Sequence, residues 1–236
     1  MSNRFYPMKE TISNFTLFNI MRQFYFFLIL SMLAFPFSGM AKISFEKHED
    51  VVEGPRRWTY EVGAAVITPN RIKDFLGAGK GVNRAKGDAG GEIYSFTASR
   101  RVGQMVANIA DYTFTPQFEL PFTLEVVDEN SGNPFPAFAS SFTVRWVDFP
   151  WNVYVPTSFA MGVGLNFSSE LYKIDQERHP DMHRSRLKIN WPIQLTFALP
   201  SYPDDQLMVY IIHHSGGRML DHGGLNALGI GYRRDF

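Results

Sequence analysis

A regular alternation of apolar and polar side chains is the feature of this chain that most constrains its fold. The clearest example is the stretch 157–169, in which every second residue is large and apolar: Phe159, Met161, Val163, Leu165 and Phe167. The residues between them are small or polar. Because successive side chains of a strand point to opposite faces, this period of two predicts a strand with one apolar face and one polar face.

The same alternation recurs along the chain from residue 57 to the C-terminus. It predicts eight strands, over residues 57–67, 91–100, 117–128, 140–148, 157–169, 186–199, 206–214 and 225–236. An even number of strands near ten residues long, the last one ending the chain, is typical of a closed antiparallel barrel. The predicted fold class is therefore all-β, an eight-stranded antiparallel transmembrane β-barrel over residues 57–236.

The connections between the predicted strands alternate in length. With the first strand rising from the periplasm, the outer loops are 68–90, 129–139, 170–185 and 215–224. The inner turns are 101–116, 149–156 and 200–205, and the first of them is too long for such a turn, so its flanking strand ends are expected to lie elsewhere. Pro121 and Pro192 fall in mid-strand, where proline removes a ladder donor, and we expect bulges at both.

Alternation alone does not say which face of the barrel points outward. A soluble lipocalin-like barrel has an apolar interior, whereas an outer-membrane barrel has an apolar exterior. Three features favour the membrane type, the first being the terminal Phe236. The polar faces carry enough charged and amide groups to fill a paired lumen: Glu61, Glu119, Glu125, Arg145, Lys188, Asn190, Gln194 and Arg233. Aromatic residues lie near the strand ends, as in interfacial girdles: Trp58, Trp146, Trp151, Tyr154 and Tyr232.

An uncharged apolar run over residues 24–34 precedes the barrel and is too short to cross a bilayer as a helix. Arg22 stands before it, and Gly39-Met40-Ala41 has the small-x-small form of a signal-peptidase site. We predict a signal peptide over residues 1–41, cleaved before Lys42, and a periplasmic segment over 42–56. A buried core helix is the alternative interpretation of the run. The predicted location is the outer membrane of a Gram-negative bacterium.

Composition removes several classes of function. The 23 basic and 23 acidic residues leave no net charge that would attract nucleic acid. The absence of cysteine excludes a disulfide framework, a thiolate metal site and a cysteine nucleophile. A solute channel is disfavoured because side chains fill the lumen of an eight-stranded barrel. The sequence indicates neither a metal nor an organic cofactor.

The densest group of polar residues lies where the last two predicted strands meet. His213 and Ser215 are two residues apart and share a strand face, and Asn226 opens the facing strand. By parity all three point to the lipid side, at the outer ends of their strands. A serine nucleophile needs a base within reach and a third group that orients the base. The glycines that follow, Gly216 and Gly217, offer backbone N–H groups for an oxyanion hole.

This stretch resembles the lipid A 3-O-deacylase family, the acyloxyacyl hydrolase-like outer-membrane barrels. His213-His214-Ser215 matches the family's His-x-Ser near the end of the penultimate strand, and Gly224-Leu225-Asn226 matches the opening of the last strand. Asn226 stands where characterised members have glutamate, and Gly216 where the family has asparagine. The resemblance implies an esterase that removes an acyl chain from lipid A of lipopolysaccharide. Ser215 would be the nucleophile, His213 the base, and Asn226 or the loop carboxylate Asp221 the orienter.

The alternative is a non-catalytic barrel of the same shape, with a structural or adhesive role. In that interpretation the polar residues only mark where a strand leaves the membrane. Asn226 can accept the N–H of a histidine, but it does not stabilise an imidazolium as a carboxylate does. In both interpretations the predicted partner is outer-membrane lipid, lipopolysaccharide above all.

Two further motifs are weaker. His179-Pro-Asp181-Met-His183 has metal-ligand residue types but no further ligand nearby in sequence, so we interpret it as a solvated loop. Gly77-Ala-Gly79-Lys-Gly81 resembles a phosphate loop but lacks the serine or threonine after the lysine and a strand–helix setting.

Overall fold

The computed structural model describes residues 44–47, 58–72, 74, 82–109, 112–178 and 180–236. The predicted signal peptide and all of the predicted periplasmic segment except 44–47 lie outside these ranges. The strands are β1 (Ser44–Lys47), β2 (Trp58–Thr68), β3 (Gly91–Ile109), β4 (Tyr112–Phe114), β5 (Gln117–Glu129), β6 (Phe135–Trp146), β7 (Thr157–Ser168), β8 (Leu187–Asn190), β9 (Ile193–Leu199), β10 (Tyr202–Ser215) and β11 (Gly224–Asp235). A short helix, α1, spans Lys173–Arg178, and a 3₁₀ turn spans Gly87–Ala89.

None of the helices in the described ranges is both long enough and apolar enough to cross a membrane.

The sheet closes on itself. Around the ring, β2 pairs with β11, β11 with β10, β10 with both β8 and β9, these two with β7, β7 with β6, β6 with β5, and β5 with β3, which returns to β2. Every one of these pairs is antiparallel. β8 and β9 follow each other in one position of the ring, so the barrel has eight strand positions, which we call staves. The all-β eight-stranded architecture is therefore confirmed.

Several predicted strand ends are wrong. β3 continues to Ile109 instead of ending at residue 100, because its second half pairs with β1 and β4 beyond the ring. The predicted inner turn 101–116 is therefore mostly strand. β6 begins at Phe135 and β10 at Tyr202, each earlier than predicted. The predicted strands start too late because prolines near both starts resemble turn signals in the sequence.

The bulges expected at Pro121 and Pro192 are absent. Pro121 lies in β5, and the residue pairs that β5 forms with β6 keep the same register before and after it. At Pro192 the stave is interrupted between β8 and β9, yet both halves keep the same register toward β7 and β10. The ladder continues through the break because Trp191 N–H donates to the His213 carbonyl at 2.9 Å and Gly162 N–H donates to the Pro192 carbonyl at 3.1 Å. The register shifts lie elsewhere, after Arg101 in β3 and after Tyr202 in β10.

The apolar face of the staves points outward and the polar face points into the lumen. Fourteen of the exposed large apolar side chains form a band that continues around the ring, and we call them the apolar band: Val62, Tyr94, Phe96, Phe122, Leu124, Val126, Phe138, Phe142, Val163, Leu165, Phe167, Leu199, Leu207 and Ile230. Aromatic residues are exposed at the end of the barrel where β2 begins and β11 ends: Trp58, Trp151, Tyr154, Tyr202 and Phe236. We call this the terminal end and the opposite end the loop end.

Near the terminal end the lumen holds a network of buried charges. Arg233, which is fully buried, donates to Glu61 at 2.8 Å and to Glu119 at 2.8 Å. Arg145 donates to Glu119 at 3.0 Å and to Gln194 at 2.7 Å. Arg233 also pairs with Asp235 at 2.9 Å, so Arg145 and Arg233 face three carboxylates, and each of these five ions has a partner of opposite charge.

Toward the loop end an apolar cluster joins the polar groups of the lumen. It includes Met208, Tyr210 and Ile212 of β10, which point inward and make this strand apolar on both faces. The helix α1 covers this end of the barrel and inserts Ile174 into the cluster. The lumen is therefore filled along its length.

The buried charge network gives a stability prediction with a matched control in the next residue. Arg233→Met leaves Glu61 and Glu119 short of a cation inside the lumen, and we expect a loss of about 3–5 kcal/mol in the free energy of unfolding. Arg234 is half exposed and pairs with Asp205 at the surface, so Arg234→Met should lower stability by less than about 1 kcal/mol. Urea unfolding in lipid vesicles measures both. Equal losses in the two variants would contradict the network's role.

Candidate functional site

The candidate site lies at the loop end, where β10 runs into the turn that leads to β11. His213 and Asn226 are direct cross-strand partners, and Ser215 faces Gly224 two residues nearer the turn. His213 and Ser215 share the outward parity of Leu207 in the apolar band, while His214 between them is fully buried in the lumen. The structure thus brings His213 and Asn226 into contact and places Ser215 on the same face.

Asn226 determines how His213 is protonated. Its Nδ2 donates to the Asn70 carbonyl at 2.7 Å, so its Oδ1 is the atom that faces the His213 ring. The Oδ1 to Nδ1 distance is 2.5 Å. An amide oxygen only accepts, so neutral His213 must carry its proton on Nδ1 and keep a lone pair on Nε2. That tautomer is the one that a general base needs.

Asn70 is a part of the site that the sequence analysis missed. It follows β2 across Pro69 and is nearly buried. Its side-chain oxygen accepts from Thr68 Oγ1 and from the Asn83 backbone N–H, both at 2.8 Å, and its own N–H donates to Thr68 Oγ1 at 3.0 Å. These bonds hold the Asn70 carbonyl toward Asn226. The Thr-Pro-Asn sequence is a turn signal, but nothing in it shows that the turn meets β11.

Ser215 takes part in a tight turn. The Gly217 N–H donates to Ser215 Oγ at 3.1 Å. Gly216 N–H is engaged with the Gly223 carbonyl at 2.8 Å, so of the two glycine N–H groups predicted for an oxyanion hole only that of Gly217 points at the serine. Gly217 has a φ of 60°, where a side chain is strained, and a Cβ there would also press on Ile189. Within the described ranges no hydrogen bond joins Ser215 to His213.

Asp221 does not orient His213, so that alternative is wrong. Its carboxylate accepts from the Lys188 ammonium inside the barrel and from the backbone N–H groups of Ser185 at 2.7 Å and Gly223 at 2.9 Å. Burial alone would raise the pKa of Asp221, but these hydrogen bonds outweigh it and lower the pKa below the usual aspartate value. Asp221 is therefore a structural anion that ties the 216–223 turn to the loop before β8.

A second group of polar residues lies behind the site, inside the lumen. The Tyr172 hydroxyl is 3.2 Å from His214 Nδ1 and donates to Asn166 Oδ1 at 2.9 Å. Asn166 in turn donates to Glu125 at 3.2 Å. The His214 ring therefore lies in the lumen, where its Nδ1 is hydrogen-bonded to Tyr172. The barrel wall separates it from any lipid outside.

The two weaker motifs lie partly or wholly outside the described residues. No cluster of three or more histidine, cysteine or acidic side chains suited to a metal occurs in the parts of the chain that the structure describes. His179 of the first motif and the whole glycine-rich stretch 77–81 lie outside those parts.

The fold and this site define a class: a closed eight-stranded antiparallel barrel with a histidine–asparagine pair and a serine on its outer face at one rim. No protein-family model matches the chain, and no curated protein matches its sequence. Among solved structures the chain is similar to the outer membrane enzyme PagL, with a TM-score of 0.45 and 13% identity over 75% of this chain and 99% of that one.

The hydrogen bond to Asn226 gives a prediction about the His213 ring that needs no substrate. At neutral pH, ¹⁵N NMR of histidine-labelled protein should show His213 with Nδ1 protonated and Nε2 bare. Asn226→Leu removes the acceptor, so the preference for that tautomer should disappear. His214, which bonds to Tyr172 instead, is the internal control and should not change. An Nε2-protonated His213 in the unsubstituted protein would contradict the assigned orientation of Asn226.

Proposed function

We propose that this chain is an outer-membrane barrel esterase that removes an acyl chain from lipid A of lipopolysaccharide. The observation that carries the proposal is the His213–Asn226 hydrogen bond on the outward rim, two residues from Ser215. It prepares a histidine with a free Nε2 on the face where a serine also lies. If these polar residues only marked where a strand leaves the membrane, the His213 ring would not need to be held in one orientation.

The apolar band supports a membrane setting and a lipid substrate. Its side chains expose between 44% and 66% of their surface around the closed ring, far more than a soluble monomer usually shows in one continuous area. His213 and Ser215 continue the outward face of β10 beyond Leu207, toward the loop end. An acyl ester of a membrane lipid would meet them at the edge of the hydrocarbon layer, with its chain along the barrel wall.

Among the described residues, the lumen leaves little room for a substrate. A cavity lined by Glu61, Glu119 and Gln194 has a volume of about 30 Å³, which suffices for a water molecule and not for a lipid. The ester must therefore approach from outside the barrel, where the candidate site faces.

The roles follow from the positions of the groups. His213 Nε2 takes the proton of Ser215 as Oγ attacks the ester carbonyl, and Gly217 N–H stabilises the resulting oxyanion. His213 then protonates the sugar alkoxide as the acyl chain passes to the serine. Water, deprotonated by the same nitrogen, releases the fatty acid and restores Ser215. Asn226 holds the ring throughout by accepting the Nδ1–H. The serine must turn from Gly217 to His213, as catalytic hydrogen bonds often form only with substrate present.

The membrane setting is tested with single cysteines, because the chain has none of its own. Val163→Cys lies in the apolar band and Met219→Cys in the loop-end turn, and both native side chains are exposed, at 44% and 67%. In intact cells a bulky water-soluble maleimide should label Met219→Cys and leave Val163→Cys unreacted. A lipid-soluble maleimide should label Val163→Cys. Labelling of both positions by the water-soluble reagent would show that the band faces water.

The esterase is tested by lipid A mass spectrometry and by release of fatty acid in reconstituted vesicles. Ser215→Ala should abolish deacylation while the barrel stays folded. His213→Ala should lower the rate by about 10²–10⁴-fold, because a serine without its base is a weak nucleophile. Asn226→Ala should lower the rate less, since it only orients the ring.

His214→Gln is the matched control for His213, because its ring lies in the lumen and cannot reach a lipid ester. We expect it to keep most of the activity, provided that heat-modifiable migration on gels shows a folded barrel. If the unsubstituted protein, folded and abundant in the membrane, leaves lipid A intact, the non-catalytic interpretation replaces the esterase. Loss of activity in His214→Gln but not in His213→Ala would place the site on the other face.

A further inference from the structure

Two arginines lie beside the candidate site, and neither forms an ion pair with a carboxylate among the described residues. Arg71 follows Asn70, the residue whose carbonyl holds Asn226. Arg178 ends α1, and its Nη2 donates to the Pro69 carbonyl at 2.8 Å, which brings it to the same short segment. Both side chains are exposed at the loop end. We call them the rim arginine pair.

Two acidic groups close to the pair, Asp74 and Asp175, are engaged elsewhere. The Asp74 carboxylate accepts the backbone N–H of Arg71 at 2.8 Å rather than its guanidinium. Asp175 binds Lys188 at 2.5 Å and Arg184 at 3.3 Å. Among the described residues no ion pair includes Arg71 or Arg178, so the positive charge of the pair is not neutralised there.

The hydrogen bond to Pro69 brings the Arg178 guanidinium to within two residues of Arg71 along the 69–71 segment. Partial burial and then the charge of Arg71 lower the pKa of Arg178, against an opposing effect of Asp175. Arg178 uses one N–H on Pro69 and keeps others for a further acceptor. Two adjacent cations with free, planar donors suit the oxygens of a phosphate, which accept from guanidinium groups in pairs.

We infer that the rim arginine pair is a subsite for a phosphate group on the glycolipid whose acyl ester enters the candidate site. The inference rests on the proposed function for the identity of the substrate. Asn226 reaches one residue of the 69–71 segment and Arg178 reaches another, so the phosphate and the ester would be held on adjoining parts of one rim. The pair would thus select phosphorylated glycolipids and fix the sugar relative to Ser215.

The test measures binding and not turnover, so it does not depend on the esterase. In the Ser215→Ala background, in detergent micelles, the affinity for phosphorylated lipid A is compared with that for enzymatically dephosphorylated lipid A. We expect tighter binding of the phosphorylated form. Arg71→Gln and Arg178→Gln should each weaken it about tenfold and leave binding of the dephosphorylated form unchanged.

Arg84→Gln is the matched control: it removes the same charge from the same loop, but Arg84 already pairs with Glu92 and should not matter. Phosphatidylglycerol and inorganic phosphate as competitors separate a glycolipid phosphate from other sources of the same group, and neither should displace the glycolipid. Equal affinity for the two lipid A forms, an unchanged preference in the double variant, or the same loss in Arg84→Gln would overturn the inference. A wild type that binds as expected but releases no fatty acid would refute the esterase and leave the subsite standing.

Discussion

Closure of the backbone ladder is the constraint on which the rest of the structure depends. Once β5 returns to β3, each stave has one face outside and one face inside, and the charged residues of the inner face cannot reach water past an edge. Arg145 and Arg233 must find their partners across the lumen, and they do so in Glu61 and Glu119. The same closure leaves the apolar side chains outside with no protein to cover them, which is why the proposed environment is a lipid one.

At the loop end, ion pairs and not ladder hydrogen bonds hold the connecting segments in place. The Lys188 ammonium lies between Asp175 of α1 and Asp221 of the turn after β10, so it links the covering helix to the turn that carries Gly217. Gly216 permits this, because a Cβ there would collide with Asp221. The position of Ser215 is thus fixed from the lumenal side, while its hydroxyl lies on the outer face. In the proposed esterase, the supporting ions would thus lie inside the barrel and the reacting groups outside it, where a lipid could approach.

Prediction from the sequence succeeds where a residue's own period determines its environment. Alternation identified all eight staves and the paired charges of the lumen, and the pairing of His213 with Asn226 follows from two strands joined by a short turn. It fails where distant segments decide. The extension of β3 depends on β1 and β4, and the continuous register at Pro192 depends on ladder bonds from its neighbours. Asp221 is the nearest carboxylate in sequence, but it lies on the other side of the wall from His213. Asn70 and Arg178 are brought to the site only by the fold.

Asn70 also accounts for the amide at residue 226. The family that the 213–226 stretch resembles has a glutamate at the position of Asn226. A glutamate carboxylate would stabilise an imidazolium better than an amide does. Here the residue must also donate to the Asn70 carbonyl, and a carboxylate would direct an oxygen at that carbonyl instead. An amide is the side chain that can donate to Asn70 and accept from His213 at once. In the proposed esterase, this amide would hold His213 in the tautomer of a base but give an imidazolium less electrostatic support than a carboxylate. The proposed reaction would therefore depend more heavily on the placing of Ser215 and its lipid.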